Sequence, residues 1–356
     1  MHSLDKIKVI EKVDRARMRD VLAQLPQHIG QAFCLGREFS LSPNFGGVKN
    51  IVFCGMGGSA IGAEIVSSYL RKEINTPLNV NRDYSLPGFV DKESLVILLS
   101  YSGNTEETLS AYKEARNRQA KIIILTSGGR LADLAKKEAR PCLLIPAGFP
   151  PRGALAFLSL PVLALFSQMR LIEDKEKEVQ ETSSLLERLK RESLGIDVRT
   201  QSNPAKRLAL RLFDNFCVIY AGAEHLSGVV TRFRGQLAEN SKMLSSSHLL
   251  PEMNHNEIVG WRHPRKLLKR FVALLLRDRE DHPQVKKRLE ISKEILQKEG
   301  AGVEEVWSKG EGLLARTFSL IYTGDFTSFY LAVLNKEDPT PVKRIDYLKR
   351  RLKEWK

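Results

Sequence analysis

The chain has 356 residues, 42% hydrophobic and 28% charged, with a formal net charge of +14; this is enough apolar material for two domains with cores of their own and excludes a disordered tail. No apolar run approaches the roughly eighteen residues of a membrane helix, and the opening MHSLDKIKVIEKVDRARM lacks the apolar centre and small-residue cleavage site of a secretory signal, so a soluble cytoplasmic protein with no membrane partner is expected. Cys34, Cys54, Cys142 and Cys217 form no CxxC or Cys/His spacing, which argues against a zinc or redox motif and predicts four buried thiols.

In chain order, EKVDRARMRDVLAQLPQHIGQAF reads as an amphipathic helix that packs on the first domain. Four short runs follow, KNIVFCG from Lys49, SLVILLSYSG from Ser94, AKIIILTSGG from Ala120 and RPCLLIPAG from Arg140. Each is rich in Val, Ile and Leu and stopped by Gly or Ser, the pattern of a buried strand. Between them SAIGAEIVSSYLRKE, TEETLSAYKEARNRQ and RLADLAKKEA carry helical spacing. Strand and helix in alternation predict an α/β fold with a parallel sheet.

After the apolar helix GALAFLSLPVLALFSQM comes the charged stretch EDKEKEVQETSSLLERLKRE from Glu173, read as a connection. The pattern then repeats, with NFCVIYAG, FVALLLRD, VEEVWSKG and SFYLAVLN as strands. The expected division is therefore a first domain over 1–172, a helical connection over 173–195 and a second α/β domain over 196–356. IVFCGMGGSAIGAEIV and VIYAGAEHLSGVV echo one another, each passing from strand through a glycine turn into helix. The basic excess is densest in KRIDYLKRRLKEWK at the end. Without a helix-turn-helix, RNP or zinc-finger signature it reads as solvated helix face, and no nucleic-acid partner is expected.

Open α/β sheets bind ligands beyond the carboxyl ends of their strands. Gly55, Gly57, Gly58 and Ser59 form one such turn; small residues let the backbone approach an anion, and the helix that follows offers free N–H groups. SYSGNTEET supplies Ser100, Ser102 and Thr105 at the start of another helix, a set of short donors suited to a phosphate monoester. Two other readings compete. GMGGSA satisfies G-x-G-x-x-A, a dinucleotide fingerprint, but the acidic residue that should follow about twenty positions on is only Asp83, slightly late. Ser100, Ser102 and Thr105 could also serve only as helix caps; two such loops on neighbouring strands favour a sugar-phosphate site.

GMGGSAIGAEI, SYSGNTEETL, PPRGALAF, QLAENSK, EMNHNEIVGW and DPTPVKRIDYLK together resemble the bifunctional phosphoglucose/phosphomannose isomerases of the SIS (sugar isomerase) superfamily, from about Lys49 onward. The resemblance implies two SIS domains, each a parallel sheet flanked by helices in a flavodoxin-like three-layer sandwich. It also implies a homodimer and metal-free, cofactor-free interconversion of glucose 6-phosphate or mannose 6-phosphate with fructose 6-phosphate through a cis-enediol. By resemblance Glu239 in AENSK is the base, a role that suits a buried carboxylate; composition alone would make it a surface helix glutamate. Arg152 matches the arginine that stabilises the enediolate, and His255 in MNHNE matches the ring-opening histidine, supplied by the neighbouring subunit. Thr340 falls near C1 and C2 of the sugar, and a lysine assisting ring opening corresponds to Lys349, with Lys343 as the alternative. His225 and His263 read as loop or helix-end histidines. A sugar-phosphate sensor without catalysis and a nicotinamide oxidoreductase are the competing classes.

Overall fold

The computed structural model describes residues 3–41 and 45–355. Among them the first half contains strands β1 (Asn50–Cys54), β2 (Leu78–Asn81), β3 (Ser94–Leu99), β4 (Lys121–Thr126) and β5 (Cys142–Leu144). Its helices are α1 (Ile7–Val13), α2 (Met18–Glu38), α3 (Gly57–Tyr69), α4 (Glu106–Asn117), α5 (Gly129–Lys137), α6 (Leu155–Gln168) and α7 (Glu176–Leu189). The second half contains β6 (Phe216–Gly222), β7 (Ser245–Leu250), β8 (Phe271–Arg277) and β9 (Gly302–Trp307). With these go α8 (Pro204–Leu212), α9 (Ser227–Glu239), α10 (Glu257–Gly260), α11 (Arg265–Leu268), α12 (Pro283–Lys298), α13 (Leu313–Leu334) and α14 (Lys343–Glu354). No helix of the described residues is long and apolar enough to cross a membrane.

Strands run in the order β2-β1-β3-β4-β5 and β7-β6-β8-β9, and every pairing is parallel. The first is the flavodoxin-like order, whose direction of winding reverses between β1 and β3. The two glycine and hydroxyl turns follow those two strands. Alternate side chains of the first sheet face opposite layers: Val52, Val96 and Ile122 meet α4 and α5, whereas Ile51, Leu95 and Ile123 join a larger core. That larger core also takes Cys217, Ile219 and Leu274 from the second sheet, with α2, α3, α6, α8, α9 and α13 between. The inner faces of both sheets thus share one apolar interior, and the opening amphipathic helix, α2, packs on α6 as expected.

Helix contacts inside that interior depend on missing side chains. A Cβ on Gly62 of α3 would stand 2.6 Å from the Leu158 carbonyl oxygen of α6, and one on Gly228 of α9 would stand 2.8 Å from the Ile65 nitrogen of α3. Backbone cannot yield as a flexible side chain can.

Three expectations need correction. SFYLAVLN is no strand: it is the end of α13, a helix buried on nearly every face. The Thr323 and Thr327 hydroxyls donate to carbonyls four residues back and Ser328 to one three back, so the helix absorbs polar groups without exposing them, and a short apolar run cannot reveal this. SSSHLL forms β7, an edge strand whose serines hid its apolar signal. Of the four cysteines, Cys54 and Cys217 are buried but Cys34 is exposed and Cys142 half-buried. Burial pushes the Cys54 thiol up to about 12, making it an inert core group.

Candidate active site

The turn after β1 opens α3. Gly57 adopts φ +51°, and a Cβ on Gly58 would stand 3.0 Å from the Pro151 oxygen and 3.2 Å from the Arg152 nitrogen. The turn and the Arg152 backbone are therefore in direct contact. Ser59 is buried, and its Oγ accepts from the Tyr101 N–H at 3.2 Å, which ties this turn to the loop after β3. In that loop Ser100 Oγ and Thr105 Oγ1 lie 3.0 Å apart. Thr105 stands before α4 but makes no side-chain cap, so its hydroxyl is turned to Ser100 instead. Ser102 is exposed, with Asn104 N–H donating to its Oγ at 3.3 Å. Asp83, the residue a dinucleotide reading needs, is exposed and accepts from the Tyr84 N–H at 2.6 Å.

Arg152 leaves the short Pro151–Ala154 turn before α6 and is 3% exposed. Its Nη1 donates to Glu239 Oε2 at 3.2 Å and its Nε to Asn240 Oδ1 at 2.7 Å; Nη2 donates to the Pro339 and Thr340 carbonyls at 2.6 and 2.9 Å. Burial lowers the guanidinium pKa, and the Glu239 charge opposes that. Glu239, the last residue of α9, remains partly open to solvent, its side chain 28% exposed. Lys242, in the left-handed region at φ +56°, donates from Nζ to the Glu239 carbonyl at 2.6 Å and the Pro339 carbonyl at 3.2 Å. Burial and the charge of Arg152 lower its pKa. Thr340 Oγ1 is buried without a partner.

Glu239 and Lys242 border a cleft of about 570 Å³ whose other walls include Glu337, Asp338, Lys343 and Arg344. The hydroxyl-bearing turns contribute none of these walls. The structure thus joins Gly58 to Arg152 by contact, and Arg152 to Glu239 and Thr340 by hydrogen bonds. His255 is elsewhere: it ends the Glu252–His255 turn after β7 and is itself exposed. Lys349 lies on α14, which buries no residue, whereas Lys343 reaches the cleft. His263 is exposed, and His225 is buried with Nε2 3.5 Å from Asp278 Oδ1. No group of three or more His, Cys, Asp or Glu able to hold a metal occurs among the described residues. Sequence reasoning overlooked Asn240 and Lys242, whose only signal was their place beside Glu239 in AENSK.

Residues 46–167 match the SIS domain family and residues 201–352 the bacterial phospho-glucose isomerase C-terminal SIS domain. The chain is 41% identical to the bifunctional phosphoglucose/phosphomannose isomerase of Caldicellulosiruptor bescii, covering 95% of this chain and 100% of that one. It belongs to the bifunctional phosphoglucose/phosphomannose isomerase family. A second member of the family, from Aquifex aeolicus, is 41% identical over 86% of this chain and 91% of its own. The fold agrees with that of a glucose-6-phosphate isomerase like protein from Thermus thermophilus, at TM-score 0.64 and 21% identity, covering 95% of this chain and 98% of that one. Within this phosphoglucose/phosphomannose isomerase chain both SIS domains contribute to the Arg152 cluster, Arg152 from the first and Glu239 and Thr340 from the second.

Proposed function

We propose that the chain interconverts glucose 6-phosphate or mannose 6-phosphate with fructose 6-phosphate, in the cytoplasm and without a metal or cofactor. The observation that carries the mechanism is the double engagement of Arg152: its backbone packs on the glycine turn while its guanidinium holds Glu239. In this reading Ser59, Ser100, Ser102 and Thr105, with the Gly58 turn and the amino ends of α3 and α4, grip the phosphate. Glu239 takes the C2 proton of the open-chain aldose and returns it to C1, and the enediolate oxygen formed between is stabilised by Arg152. Thr340 faces the C1 to C2 region.

Ring opening is assigned to the partner subunit's His255, with Lys349 or Lys343 assisting. An exposed His255 fits a group that works on another chain's site. The homodimer is further supported by α14: Ile345, Leu348, Leu352 and Trp355 are all exposed at the i, i+3, i+7, i+10 spacing of a packing seam. An isolated helix of this length is marginal in water, so the seam calls for a cover. The division into residues 1–172, 173–195 and 196–356 is kept as the domain reading.

The test is an assay of purified protein in chelator with each aldose phosphate offered separately. Fructose 6-phosphate from both is expected. Turnover of one epimer alone removes the dual specificity, and turnover of neither removes the isomerase.

A further inference from the structure

Two guanidinium groups are buried side by side in the interior, and a closed circuit of hydrogen bonds connects them. Starting from Arg152, Nε donates to Asn240 Oδ1 at 2.7 Å; Asn240 Nδ2 meets Ser328 Oγ at 2.9 Å, and Ser328 Oγ donates to the Asp325 carbonyl at 2.8 Å. The Asp325 carboxylate then accepts from Arg232 at 3.0 and 2.6 Å and from Gln236 at 2.9 Å. Arg232 Nη2 returns to the Arg152 carbonyl oxygen at 3.2 Å. The circuit begins and ends on Arg152, gripping its side chain and its backbone at once. Asn240, Arg232, Gln236, Asp325 and Ser328 are each 3% exposed or less.

The chemistry of this ring is specific. Arg232 is a second buried cation whose charge lowers the pKa of Arg152, so two guanidiniums coexist there only with a carboxylate to compensate. Asp325 supplies it, from the middle of a helix whose only other charged side chain, Arg316, is turned to Asp278. A carboxylate buried in an apolar helix is costly unless fully bonded, and this one accepts three hydrogen bonds, all from α9. Asn240 is a neutral acceptor for Nε; an acid in its place would draw charge from the guanidinium, and an apolar residue would free it to turn.

We propose that Asn240 and Asp325 are positioning residues for the isomerase reaction, fixing the direction and the undiluted charge of the Arg152 guanidinium. This rests on the isomerase reading given above. The ring lies behind Arg152, so its members act on turnover through the guanidinium.

A double-mutant cycle tests it, measuring kcat and KM for glucose 6-phosphate with Asn240→Ala and Asp325→Asn, each in the unaltered chain and in Arg152→Met. In the unaltered chain each change is expected to lower kcat about tenfold or more with KM moving less than about threefold; in Arg152→Met each should cost less than about twofold, because coupled residues do not add. Equal losses in both backgrounds, or unchanged kcat in the Asn240 variant, overturn the positioning role and leave the isomerase reading standing. No turnover by the unaltered chain overturns both. Should Asp325→Asn fail to fold, Asn240→Ala decides the question, because it leaves the Arg232–Asp325 pair in place.

Discussion

Glu239 sits where helix α9 ends, one oxygen on Arg152 and its side chain still reachable from solvent. Glu239→Gln preserves shape and removes the proposed base, so kcat is expected to fall at least about a hundredfold while inorganic phosphate still binds, measured by coupled assay and by calorimetry. Loss of both together would speak for damage rather than for a missing base. At the proposed phosphate end, Ser100→Ala deletes the hydroxyl that faces Thr105; KM is expected to rise about tenfold, the value of one hydrogen bond to a charged group, with kcat little altered. These residues were legible in the sequence because each sits in a short motif with its own chemistry. Asn240, Asp325 and Lys242 were not, since a buried asparagine, a lone helical acid and a turn lysine look like ordinary polar residues until partners 88 and more positions away are known, as Asn240 and Ser328 are for one another.

Elements were readable to the extent that they were uniform. Seven of the nine strands among the described residues announced themselves as apolar runs ended by glycine, serine, proline or a charged residue, whereas β2 is only the half-polar LNVN, β7 begins with three serines and α13 is buried around nearly its whole circumference. Helix contact geometry was invisible, because it depends on absent atoms. Gly228→Ala would force α9 away from α3 at the Ile65 backbone, and urea unfolding should show a loss of about 1–3 kcal/mol, the usual cost of overpacking; unchanged stability would mean the helices can slide. The loop after β8 has a pH signature. Burial alone would raise the Asp278 carboxyl, but the neighbouring His225 and Ser308 side chains, the Glu280 N–H that donates to it at 2.8 Å and the Arg316 guanidinium that donates at 3.2 and 3.0 Å hold it well below its ordinary value of 3.8. The unfolded chain therefore binds the proton first, and the stabilisation is complete above that ordinary value and lost as pH falls below it. Melting curves of Asp278→Asn should lie below those of the unaltered protein near neutrality, and the gap should begin to narrow only once the pH falls below about 4.

For the molecule as a whole, two parallel sheets in sequence were foreseeable from alternating strands and helices, and the shared interior between them was not. That interior allows Arg152 of one half and Glu239 of the other to meet. The proposed dimer adds a second dependence. Glu239→Gln and His255→Ala should each be nearly inactive alone, but an equimolar mixture refolded together should regain about a quarter of the normal rate, because half of the dimers are mixed and each of those has one intact site. No recovery would confine His255 to its own chain or to no role. Arg152 grips the carbonyls of Pro339 and Thr340, and α14 starts three residues later with its apolar seam bare. Whatever docks on that seam pulls on the same stretch of backbone the guanidinium holds. Specific activity should therefore decay on dilution before any unfolding is detectable, so that protein concentration itself would set the rate per molecule.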